Sequence, residues 1–136
     1  SITTLTVASE KSTIFNFSDN SLTTITFNAS TLTPTIFSGS TINLSGNALG
    51  VIELPNFTIG FETIDFSDNS MSAAEVDESL VNLVANYTAA IGGASGCSID
   101  ISGTNAAPTD GSSTGFDGIQ AKADLEALGA TVTVTT

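Results

Sequence analysis

Hydrophobic and polar residues alternate in short runs between Ser1 and Gly60: Leu5-Thr6-Val7, Ile14-Phe15-Asn16-Phe17, Ile25-Thr26-Phe27, Ile42-Asn43-Leu44 and Ile52-Glu53-Leu54, with Thr35-Ile36-Phe37 as a weaker one. A period of two sends the outer residues of each triplet to one face and the middle one to the other, so each run predicts a short β-strand. From Glu62 onward the pattern changes. The strand-like runs Thr63-Ile64-Asp65-Phe66, Cys97-Ser98-Ile99-Asp100-Ile101-Ser102 and Thr131-Val132-Thr133-Val134 are separated by two segments of helical period. Strand, helix, strand, helix, strand is the order of parallel strands joined by crossover helices.

A longer frame recurs within this pattern, apolar-x-apolar-x-x-Asn-x-apolar. It reads Phe15-x-Phe17-x-x-Asn20-x-Leu22, Ile42-x-Leu44-x-x-Asn47-x-Leu49 and Ile64-x-Phe66-x-x-Asn69-x-Met71, with a degenerate copy, Ile25-x-Phe27-x-x-Ser30-x-Leu32. This is the strand-and-turn half of a leucine-rich repeat. Asn suits the turn because its amide can bond main-chain groups that the bending chain leaves unpaired. Asn20, Ser30, Asn47, Asn69 and Thr104 are therefore expected to form a ladder of turn residues.

The frames expected on one parallel sheet start at Leu5, Ile25, Ile42, Ile64, Ile99 and Val132. Phe15, the Leu32 to Phe37 region and Ile52 are expected to cross the opposite side. The fold class is then α/β: a leucine-rich-repeat-like solenoid forming one domain over residues 1–136. Residues 1–60 form β-rich coils, and residues 61–136 supply the parallel strands with two crossover helices. A flat β-sandwich is the alternative, because short alternating strands with Gly and Asn turns also fit it.

The first helix begins at a capping box, Ser72-Ala73-Ala74-Glu75. Val76, Leu80, Leu83, Val84, Tyr87 and Ile91 form its apolar stripe, Asp77, Glu78 and Asn82 fall largely off it, and Gly92-Gly93 ends it. The second helix starts near Asp117, with Gln120 at the box position, and ends at Gly129. Ile119, Ala123, Leu125 and Leu128 are its core candidates. Thr104 to Gly115, rich in small polar residues and holding Pro108, predicts a loop.

Composition narrows the function classes. The 136 residues suffice for one domain with a core of its own. Two basic residues, Lys11 and Lys122, stand against fourteen acidic ones, a net charge of −12. A phosphate backbone or an anionic membrane surface calls for cations, so neither nucleic acid nor membrane is an expected partner. No apolar run is long enough to span a bilayer, and the N-terminal residues lack the basic-then-apolar pattern of a secretion signal. The lone Cys97 makes no intrachain disulfide and is expected to pack as a small apolar residue at the start of a strand.

Catalytic chemistry finds little to stand on. The sequence holds no His, which removes Ser-His-Asp and Cys-His arrangements. Asp65 and Asp100, at equivalent strand positions, are the candidate carboxylate pair of a glycan-degrading enzyme; a solvated polar face is the expected role. Asp19-Asn20 and Asp68-Asn69 offer oxygen ligands for calcium, but neither completes a calcium-binding motif, so turn formation is expected and no cofactor. Sequons at Asn16, Asn28, Asn43, Asn56 and Asn86 carry no weight in so Ser- and Thr-rich a chain. Thr26, Asn43, Asp65, Asp100 and Thr133 together form a candidate recognition face for a protein or glycan. The strand end at Leu5 and Val7 is the candidate docking end.

About the last half of the chain resembles a leucine-rich-repeat-like C-terminal module of tailed-phage structural proteins and bacterial surface proteins. The resemblance rests on Ile64 to Met71, the helix Ala74 to Asn86, the run Ile99 to Thr109 with its Gly103-Thr104-Asn105-Ala106-Ala107-Pro108-Thr109, and Ala121 to Val134. Ala130 stands where the pattern expects an aromatic residue. The resemblance implies a display or attachment module and brings no catalytic motif. The expected function is a non-enzymatic structural or display protein of a tailed-phage virion, a capsid decoration or fibre component on the particle surface. Its partners would be other virion proteins, copies of itself, or a host-surface glycan or protein. A bacterial extracellular adhesion module is the alternative.

Overall fold

The strands and helices of the computed structural model, which describes residues 4–7, 14–27, 41–54, 62–89 and 96–136, follow one another as β1 (Thr4–Val7), β2 (Ile14–Asn16), β3 (Thr24–Phe27), β4 (Thr41–Asn43), β5 (Thr63–Asp65), α1 (Ala73–Ala89), β6 (Ser98–Ile101), α2 (Gly118–Ala127) and β7 (Thr131–Val134). Five strands form one sheet in the order β2-β4-β5-β6-β7. Every strand pairing among the described residues is parallel, which separates the fold from the antiparallel sandwich alternative. The chain is an α/β fold with both helices in its C-terminal half.

Register makes the core. Phe15, Ile42, Ile64, Ile99 and Val132 stand opposite one another on successive strands, and all are buried. Leu44, Phe66 and Ile101 form a second buried row two residues on, flanked by the partly buried Phe17 and Val134. Leu22, Leu49 and Met71 re-enter the same core after the turn. Each fully buried Leu, Ile or Phe contributes about 1.5–3 kcal/mol, and these rows supply most of the apolar interior.

The first sixty residues pair differently from the expectation. Phe15, expected on the opposite side, belongs to the five-stranded sheet and registers with Ile42. Leu5 and Ile25, expected there, register with each other in a separate two-stranded sheet, β1-β3. The turn decides which unit joins which sheet. The Phe15 unit carries the Asn-containing turn that matches those after β4 and β5, and its Phe17 N donates to Asn43 O at 2.9 Å. Ser30, Leu32 and Thr35-Ile36-Phe37 lie outside the described residues.

Ile52 and Leu54 are buried without belonging to a strand. Helix α1 holds them through side chains spaced along one face: Ser79 Oγ accepts from Ile52 N at 2.9 Å, Asn82 Nδ2 donates to Ile52 O at 3.5 Å, and Asn86 Nδ2 donates to Leu54 O. This satisfies main-chain groups that no ladder reaches.

The capping box of α1 forms as its residues dictate. Glu75 Oε2 accepts from Ser72 N at 2.8 Å and Ser72 Oγ at 2.7 Å, and Glu75 N donates back to Ser72 Oγ at 3.4 Å. Val76, Leu80 and Leu83 are buried and Val84 partly so; Ile91 and Gly92-Gly93 lie outside the described residues. Asp117 caps α2, accepting from Gln120 N at 2.8 Å. The buried face of α2 is Gly118, Ala121 and Leu125, whereas Ile119, Ala123 and Leu128, expected in the core, are exposed. Close approach of Gly118 to α1 sets this rotation, since a Cβ there would collide with Asp77 Oδ1.

Candidate functional site

The Asn turns bind each unit to its neighbour. Asn47 Oδ1 accepts from Leu22 N at 3.0 Å, and its Nδ2 donates to Phe17 O of the preceding turn and to Leu44 O and Ser45 O of its own. Asn69 repeats this one unit on, accepting from Leu49 N at 3.0 Å and donating to Leu44 O, Phe66 O and Ser67 O. Asn105 accepts from both Asn69 N at 3.0 Å and Met71 N at 3.1 Å, and donates to Phe66 O and Ile101 O. All three side chains are buried. Asn20 is exposed, and among the described residues its amide donates within its own turn, to Phe17 O and Ser18 O.

The residue that takes the Asn place after β6 is Asn105, not Thr104. Thr104 is exposed; its N donates to Asp68 Oδ1 at 2.9 Å and its Oγ1 accepts from Ser70 N at 3.1 Å. The Ile99 unit is one residue longer than the others before its Asn, so a fixed spacing lands on Thr104. The expected ladder member Ser30 falls outside the described residues.

The turns also share a left-handed position whose occupant alternates. Asp19 (φ 55°), Gly46 (φ 65°), Asp68 (φ 55°) and Gly103 (φ 77°) fill it in successive turns. A side chain at Gly46 would strike Asp19 Oδ1, and one at Gly103 would strike Asp68 Oδ1. Each carboxylate thus leans over the next turn's glycine, and the acidic residues stand two strands apart. Asp19 and Asp68, the candidate calcium ligands, both hold this left-handed turn position, and Asp68 Oδ1 accepts from Thr104 N. Among the described residues no group of three His, Cys, Asp or Glu side chains is placed to hold a metal ion.

On the outward face, register aligns Asn16, Asn43, Asp65, Asp100 and Thr133. Thr26, expected in this row, instead registers with Thr6 in the two-stranded sheet; Asn16 takes the place. The side chains are held alike by a Ser two residues on. Asn16, Asn43, Asp65 and Asp100 each accept through Oδ1 from both N and Oγ, of Ser18 (3.1 and 2.9 Å), Ser45 (3.0 and 2.7 Å), Ser67 (3.0 and 2.7 Å) and Ser102 (3.0 and 2.6 Å). Asp65 and Asp100 are half-buried neighbours. No described residue forms an ion pair with either; Lys122 pairs on α2 with Glu126, at 2.5 Å. The row can present oxygen acceptors to a ligand, with Asp65 and Asp100 side by side on neighbouring strands.

Four further residues acquire definite places. Cys97 is buried immediately before β6, and burial pushes its thiol pKa up to about 11, so it stays a packed, unreactive thiol at neutral pH. Asp77, read from the helical stripe as off the core, is buried. Its Oδ1 accepts from Thr109 N at 2.8 Å, and its Oδ2 accepts from Thr109 Oγ1 at 2.5 Å and Thr114 Oγ1 at 2.7 Å. It anchors the loop before α2, and the signal for it is the run ending at Thr109, not the stripe. Leu5 and Val7, the candidate docking end, lie in β1 beside Ile25 and Phe27.

Comparison with protein-family models, with curated proteins and with solved structures finds no match.

Proposed function

We propose that the chain is a leucine-rich-repeat-like solenoid that serves as a non-enzymatic structural or display component of a tailed-phage virion, a capsid decoration or fibre component. The observation that carries this reading is the part played by Gly103 to Thr109, the most specific run of the resemblance. Asn105 fills the buried turn of the β6 unit and Thr109 anchors on Asp77, so the residues behind the resemblance are those that build the last units. The stitched turns support the solenoid reading, because each unit depends on contacts with its immediate neighbours. The outward row, its acceptors held by Ser45, Ser67 and Ser102, is the surface proposed to meet a host-surface glycan or protein, and the strand end at Leu5 and Val7 is the end proposed to dock on other virion proteins or further copies of the chain. Mass spectrometry of purified particles, with antibody labelling to locate the chain, tests the proposal. Stoichiometric presence on the particle surface is the expected result, and absence from washed particles overturns it.

A further inference from the structure

We draw no further inference here: the strongest candidate, the outward row of the five-stranded sheet centred on Asp65 and Asp100, belongs to the surface already described, and nothing in the structure shows what covers it.

Discussion

At the scale of single residues, the chain distinguishes amides that build from side chains that decorate. Asn69→Ala removes the acceptor of Leu49 N and a donor to main-chain carbonyls in a buried turn. Each buried group left unpaired costs about 1–3 kcal/mol, so a loss of about 3 kcal/mol or more is expected in urea unfolding. Asn20→Ala, at an exposed turn where water replaces the amide, should cost less than about 1 kcal/mol; equal losses at the two sites would refute the stitching role. Asp65→Asn makes the opposite case. Asn43 already holds Ser45 as Asp65 holds Ser67, so the amide keeps the local bonds and removes a like charge opposite Asp100. Stability should stay level or rise by up to about 1 kcal/mol, with the gain shrinking in high salt. A clear loss of stability would mean that the carboxylate has a partner the row does not reveal.

At the scale of elements, the contact between α1 and the N-terminus of α2 is a single lock made from Asp77, Thr109, Thr114 and Gly118. Gly118→Ala forces a methyl against a carboxylate that its own hydrogen bonds prevent from moving, an overpacking cost of about 1–3 kcal/mol. In an Asp77→Ala background much of that clash is gone. A double-mutant cycle should therefore give a coupling of about 1 kcal/mol or more, and strictly additive effects would show that the two do not share a site. This lock also marks what the sequence could and could not convey. Strand runs, helix caps and the loop before α2 are local signals; the Ser72-Glu75 box forms from them and Asp117 caps α2 through Gln120 N, whereas the Gln120 side chain donates to Asp124 Oδ1 at 2.8 Å and does not close a box. Which face of α2 is buried, and that Asp77 is buried, depends on a loop that returns to α1 from more than thirty residues away in the chain. The same limit explains the early strands. Leu5, Phe15 and Ile25 recur at one spacing, which cannot say which of them share a sheet, whereas Asn20, present in the Phe15 frame and replaced by Ser30 in the Ile25 frame, pointed to the right one. An extra residue before Asn105 likewise defeats any fixed count.

At the scale of the whole molecule, the proposed attachment function separates from the folding of the C-terminal half. Deleting residues 1–12 removes β1 and leaves β3 without its described partner, while the units from β5 to β7 keep their ladders and turn bonds. The truncated chain is expected to retain the circular dichroism of α1 and α2 and to lose binding to particles; retained binding would place the docking surface elsewhere. The direction of the carboxamide bonds gives this asymmetry a wider meaning. Asn47, Asn69 and Asn105 each reach back to the turn before their own. Trimming from the front therefore removes no carboxamide acceptor on which a later turn relies, although Ala48 N and Ala106 N donate to Leu22 O and Met71 O of the turns before them. Damage at Asn105 releases Asn69 N and Met71 N in the turn before it, so in this set of side-chain bonds each turn is secured by the one that follows it.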